Sequence, residues 1–254
     1  MNPNPWFVSP HINPDAGLRL FLFPYAGGGP AVFGKWSAGI PDNVEMWVAH
    51  YPGRGSRHRE PSIKELDILV EGLALSIQSL LEKPFAFFGH SMGALVAFEL
   101  TRYLNQNNLP QPIILFISGC GAPQRSEQHP LIHILPDDEF LLALKQFNGI
   151  PVEFLQKPDA MELLLPILRA DFQAIENYHF ITRQSKLGMP IIAYGGLEDP
   201  RVSQEALEGW TSQTSSSFKS IYFSGDHFFI NIAKDEIVLS IAKEMMSFFT
   251  PKHR

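Results

Sequence analysis

The chain has 254 residues, with 20 Lys and Arg against 26 Asp and Glu and a formal net charge of -6 at pH 7. That length buries a sizeable core and fits one α/β domain over residues 1–254 better than two small ones. The acidic balance and the lack of a long Lys/Arg cluster argue against a nucleic-acid partner or an anionic membrane. With 1 Cys, an internal disulfide is excluded, and the absence of a basic, apolar leader or a bilayer-length apolar run leads to the expectation of a cytoplasmic protein.

In chain order, Gly17 to Phe23 is a β-rich run that ends at Pro24 and delivers the loop Tyr25-Ala-Gly-Gly-Gly-Pro30. The stretch from Gly29 to Lys35 begins like a phosphate-binding loop, but Trp36 stands where that motif needs a hydroxyl for magnesium. The better use of the glycines is to turn main-chain N–H groups toward a developing negative charge, and Ala26 is the candidate donor. Val44 to Tyr51 reads as the next strand. It is followed by a basic cluster of Arg54, Arg57, His58 and Arg59, readable either as a solvated loop or as a docking contact for an acidic partner or a phosphate-bearing substrate arm. Apolar residues at Leu66, Leu69 or Val70, Leu73, Ile77 and Leu80 predict a helix within Ile63 to Leu81.

Phe85 to Phe88 is an aromatic, strand-like run that meets Gly89-His-Ser-Met-Gly93, and Ala94 to Leu104 has helical spacing. The G-x-S-x-G pattern between strand and helix is that of a strained elbow that exposes its serine, here Ser91; any Cβ at Gly89 or Gly93 would strike the close-packed strand and helix. Pro112 to Ser118 has the continuous apolarity of a central parallel strand. Strand and helix thus alternate, which predicts a mainly parallel sheet with crossover helices.

From about 123 to 188 no strand pattern appears. A helix is expected over Pro136 to Phe147, capped by Asp137, and another over Asp159 to Tyr178 that Pro166 should break or kink. Leu163, Leu164, Leu165, Ile167, Leu168, Phe172 and Ile175 are too many apolar residues for one stripe: they fit a buried helical layer, or a lid whose inner face lines an acyl-sized pocket. Alternation resumes with strands at Met189 to Gly195 and Phe218 to Phe223, a helix from about Ser203 and a last one over Asn231 to Phe249.

A serine hydroxyl becomes a nucleophile when a histidine takes its proton and a carboxylate orients that histidine. Following Ser91 in the order Ser, acid, His, with each group at the end of a strand, Asp199 and His227 qualify. Glu198 is an alternative acid. His90, adjacent to Ser91 in the elbow, reads as a packing residue; His129, His133 and His179 do not follow strands, and Asp171 and Asp226 read as structural or surface groups. Cys120 reads as a packing residue. No spacing resembles a metal site.

Pro24-Tyr-Ala-Gly-Gly28, Pro52-Gly-Arg54, Gly89-His-Ser-Met-Gly93, Leu168-Arg-Ala-Asp-Phe172, Gly195-Gly-Leu-Glu-Asp199 and Gly225-Asp-His-Phe-Phe229 together resemble the type II, free-standing editing thioesterases of nonribosomal peptide and polyketide synthases. The resemblance implies an α/β-hydrolase fold with a helical lid, and hydrolysis of acyl or aminoacyl thioesters on the phosphopantetheine arm of carrier proteins. It puts the nucleophile on Ser91, the acid on Asp199, the base on His227 and the oxyanion amides on Ala26 and Met92. Leu168, Phe172 and Phe228 become substrate or lid residues, and Arg54 and Arg57 a carrier-docking site. The implied partners are acyl or peptidyl carrier domains and small acyl thioesters, with no cofactor held by this chain and a monomeric state. Asp226 departs from the family's usual glycine and Gly55 from a frequent acidic residue, the latter implying a more basic entrance. Rival expectations are a carboxylesterase, lipase or medium-chain fatty-acyl thioesterase with the same triad, or an inactive hydrolase-fold binding protein.

Overall fold

The computed structural model describes residues 4–125, 130–146, 158–182 and 185–248. Its strands are β1 (Phe7–Val8), β2 (Leu18–Phe23), β3 (Val44–Ala49), β4 (Phe85–His90), β5 (Ile114–Ser118), β6 (Ile191–Gly196) and β7 (Phe218–Phe223). They form one sheet in the order β1-β3-β2-β4-β5-β6-β7. Every neighbour pair is parallel except β1 with β3. The two-residue β1 is the strand that the sequence does not announce; it is too short to carry a period and exists by pairing its Phe7 and Val8 with Ala49 and Val48.

The α-helices are α1 (Leu66–Ile77), α2 (Met92–Gln106), α3 (Asp137–Gln146), α4 (Pro158–Glu176), α5 (Gln204–Glu208), α6 (Phe229–Ile232) and α7 (Lys234–Met246). Successive strand residues point to opposite faces, which explains why the apolar runs are continuous. Phe21, Phe23, Phe85 and Phe87 join Leu69, Leu73 and Leu100 of α1 and α2 on one face. Leu20, Leu22, Phe88 and Phe116 join Ile237, Ile241 and Met245 of α7 on the other. Both faces are therefore covered, as a parallel sheet requires.

Between β5 and β6 the described residues form no sheet strand; only Leu187 makes an isolated bridge, to Thr214. Here α3 and α4 pack together through Phe140, Leu144, Leu168 and Phe172, with the Phe140 and Phe172 rings edge to face at 5.8 Å. Three sequence expectations are corrected. Pro166 lies inside α4, which runs through it without a break; the packing of Leu168 and Phe172 outweighs the missing N–H. Asp137 is the first residue of α3 rather than its cap, and its carboxylate accepts from Arg169. The C-terminal helix is two, α6 and α7, and Phe147 and Phe249 lie outside the described residues.

Candidate active site

The sheet ends its central strand β4 at His90, and α2 begins at Met92. Ser91 makes the whole turn between them, at φ 54° and ψ -119°, a conformation that L-residues avoid. The crossing is tight: a Cβ at Gly89 would lie 2.0 Å from the Gly93 carbonyl oxygen, and one at Gly93 would lie 1.9 Å from that of Phe23. Glycine is required at both positions.

Two further loops meet Ser91 at the same sheet edge. His227, after β7, has Nε2 3.0 Å from Ser91 Oγ, and its Nδ1 lies 2.9 Å from Asp199 Oδ2 in the loop after β6. A carboxylate accepts, so the proton sits on Nδ1 and Nε2 is left to accept from the serine hydroxyl. The acid is itself held: the Arg201 main-chain N–H donates to Asp199 Oδ1 at 2.8 Å. His227 and Asp199 side chains are almost wholly buried, which strengthens their interaction. Glu198 does not reach the histidine ring; it accepts from the Gly225 N–H and ties the acid loop to the histidine loop. Asp226 Oδ1 accepts from Phe228 N–H at 2.9 Å, bracing the same turn.

The neighbouring histidine has a different environment. His90 is fully buried, with Nδ1 2.9 Å from Ser118 Oγ and its ring against Tyr25, Phe228 and Phe229. Burial, together with the nearby His227, holds its pKa well below the usual imidazole value, so it stays neutral and uncharged beside the serine. Burial pushes the Cys120 thiol up to about 12, which leaves no thiolate for chemistry at neutral pH. His133 pairs with Glu176 and His179 is exposed; neither approaches Ser91. His129 lies outside the described residues. Among the described residues no group of three or more His, Cys, Asp or Glu is arranged to hold a metal ion, and no helix is long and apolar enough to cross a membrane.

A cleft opens over Ser91 and His227, bordered by Tyr25 and Ala26. Leu144, Leu168, Phe172 and Phe228 make its apolar wall, and among the described residues Arg201 is the one guanidinium that lines it. The sequence did not single out Arg201; its position two residues after Asp199 was the available signal. Its guanidinium lies 5.6 Å from the Phe172 ring centroid, and burial lowers its pKa. Of the main-chain donors at the cleft, Gly27 N–H is taken by Asp171 and Gly28 N–H by the Tyr25 carbonyl. Among the described residues, no acceptor is engaged by the N–H of Ala26 or of Met92.

The basic cluster is where the structure departs most from expectation. Arg54 and Arg57 are 5% and 7% exposed, so these two form neither a solvated loop nor a docking face, whereas His58 and Arg59 are exposed, as the solvated-loop reading expects. Arg54 makes a two-pronged pair with Asp171 of α4, at 2.8 and 2.7 Å. Arg57 pairs with Glu60, donates to the His50 carbonyl at 2.7 Å and stacks on Trp6. The entrance is therefore not made more basic by these two groups. What Gly55 provides is φ +55° next to His50 Nε2, 3.0 Å from where a Cβ would stand.

A mainly parallel sheet covered on both faces, with a serine elbow, a histidine and an acid on successive loops at its carboxyl edge, defines an α/β hydrolase. The Thioesterase domain family model matches residues 18–245, and the chain belongs to that family; it is a thioester hydrolase. It is 41% identical to the gramicidin S biosynthesis protein GrsT of Aneurinibacillus migulanus over 98% of this chain and 97% of that one. Among solved structures, it is similar to the type II thioesterase BorB from the borrelidin biosynthetic cluster, at TM-score 0.86 and 29% identity over 94% of this chain and 96% of that one. It is also similar to ClbQ from the colibactin NRPS/PKS pathway, at TM-score 0.87 and 30% identity over 91% and 98% of the two chains.

Proposed function

We propose that this chain is an editing thioesterase that removes acyl or aminoacyl groups from the phosphopantetheine arm of carrier proteins in a nonribosomal peptide or polyketide synthase. The phosphopantetheine belongs to the carrier, and the chain holds no cofactor of its own. The observation that carries the reading is the continuous contact from Asp199 through His227 to Ser91 Oγ, at 2.9 and 3.0 Å. The biosynthetic settings of GrsT, BorB and ClbQ support the choice of substrate.

In the mechanism, His227 Nε2 takes the Ser91 proton as Oγ attacks the thioester carbonyl. The N–H groups of Ala26 and Met92 then donate to the oxyanion, whose charge is also favoured by the N-terminus of α2. The imidazolium returns its proton to the departing pantetheine sulfur, leaving an acyl-Ser91 ester. Water, deprotonated by His227, attacks that ester, and the proton passes back to Ser91 as the acid leaves. Within a single unit of 1–254, α3 and α4 act as a lid, with Leu168, Phe172 and Phe228 receiving the acyl chain; residues 126–129, 147–157 and 183–184 of the lid expected at about 123–188 lie outside the described residues.

Ser91→Ala should lose at least about 10⁴-fold in kcat on acyl-carrier and acyl-pantetheine thioesters. His227→Gln should lose about 10² to 10⁴-fold. Parallel assays on p-nitrophenyl esters and a fluorophosphonate probe separate this reading from an esterase and from an idle binding protein. Turnover by Ser91→Ala near the wild-type rate would sink it.

A further inference from the structure

Arg54 and Asp171 lie 117 positions apart in the chain, and both are buried. Burying an ion pair carries a desolvation cost that an apolar pair avoids, so its geometry is the place to look for a reason. Here the carboxylate accepts three hydrogen bonds. Asp171 Oδ1 accepts from Arg54 Nη2 at 2.7 Å. Oδ2 accepts from Arg54 Nη1 at 2.8 Å and from the Gly27 main-chain N–H at 2.7 Å. The same Nη1 donates to the Gly28 carbonyl at 3.0 Å. The pair therefore grips two peptide groups, Ala26–Gly27 and Gly28–Gly29, of the loop that carries Ala26.

That grip decides which amide remains for chemistry. With Gly27 N–H on Asp171 and Gly28 N–H on the Tyr25 carbonyl, the Ala26 N–H is the loop donor left at the cleft. Gly27 sits at φ +76°, and a Cβ there would lie 2.6 Å from Leu168 Cδ2. Leu168 and Asp171 belong to α4, so the helix that lines the acyl cleft also supplies the acceptor that orients the loop.

We propose that the Arg54–Asp171 pair is a positioning device for the oxyanion loop: it fixes the Ala26–Gly27 and Gly28–Gly29 peptides so that Ala26 presents its N–H to the reacting carbonyl. The pair also makes that alignment depend on the seat of α4. This rests on the assignment of Ala26 given above. A pair that served folding alone would be replaceable by any well-packed apolar couple.

The test compares two double variants that both remove the ion pair without stranding a charge. Arg54→Met with Asp171→Asn keeps a side-chain oxygen for the Gly27 N–H; Arg54→Met with Asp171→Leu does not. Each is assayed with an acyl-pantetheine thioester for kcat and KM, and with an acyl trifluoromethyl ketone, whose adduct with Ser91 bears an oxyanion. Expected is a kcat within about 10-fold of wild type for the Asn couple and a loss of about 10²-fold for the Leu couple, the scale of one oxyanion donor. The ketone's affinity should fall in parallel, with KM changed less than about 3-fold. If the Leu couple does not fold, Arg54→Met with Asp171→Ala, which also lacks a side-chain acceptor for the Gly27 N–H, carries the same readouts, with kcat and ketone affinity expected to fall together. A folded Leu couple with wild-type kcat, or losses confined to KM, overturns the proposal. Failure of the parent assignment looks different: the wild type itself would be inactive on thioesters, or active without Ser91.

Discussion

Ser91 holds a backbone state at φ 54° that of itself costs of order 1–3 kcal/mol, and the glycines on either side let the fold hold it there. Gly93 has the least freedom, because its missing Cβ would fall 1.9 Å from the carbonyl oxygen and 2.5 Å from the carbonyl carbon of Phe23. Both are main-chain atoms of β2, and neither can swing aside as a side chain could. Gly93→Ala should therefore abolish folding or cost more than about 4 kcal/mol, among the largest single-site effects. Gly188→Ala, whose Cβ would meet nothing within 4 Å, is the matched control. Soluble yield and thermal unfolding of the two proteins decide it; equal midpoints would mean the elbow can open to admit a methyl group. At Cys120, the thiol held up at about 12 by burial should resist iodoacetamide at pH 8 in the native protein. It should react within minutes in denaturant, and mass spectrometry before and after unfolding reads the difference.

At the scale of elements, α4 tests how far packing overrides propensity. An interior proline removes an i to i-4 hydrogen bond and crowds the preceding turn, at about 3 kcal/mol in an unsupported helix. Pro166 is exposed while Leu168 and Ala170 are buried, so the proline faces away from the apolar face that holds α4 in place. Pro166→Ala should restore a bond to the Glu162 carbonyl and stabilise the protein by about 1–3 kcal/mol, read as a higher thermal midpoint. A lower midpoint would show that the ring makes a contact of its own. The same helix marks the limit of sequence reasoning. Its apolar crowding at Leu164, Leu168 and Phe172 is readable, since periodicity is local. That Asp171 reaches Arg54 is not, because a buried ion pair between distant segments leaves only two separate charged residues in sequence. Arg54 and Arg57 looked like a basic surface for that reason: charge predicts exposure until a partner is found. The elbow, Asp199 and His227 were readable because strand ends, glycines and chain order constrain them together.

For the molecule as a whole, the two buried histidines His90, beside the serine, and His50, against the Arg54 loop, link stability to pH. Burial is the first cause holding both His90 and His50 below the usual imidazole pKa, reinforced at His90 by His227 and at His50 by Arg57 and Arg54. In the unfolded chain each titrates near about 6.5. Above that value neither state binds the proton, and the full stability is present. As the pH falls through it, the unfolded chain takes up protons that the folded chain refuses, so stability declines on the acid side. Each histidine contributes at most about 1.4 kcal/mol per pH unit. Glu99, whose pKa burial raises, works in the opposite direction, while the lowered carboxyls of Glu45 and Glu82 matter only in a more acidic range. A difference measurement cancels these other groups. His90→Gln, which keeps a polar partner for Ser118, should flatten the fall in unfolding free energy between pH 6.5 and 5.0 relative to wild type, by urea titration at several pH values. Parallel curves would mean that His90 is protonated within the fold, and that the core behind the serine tolerates a charge.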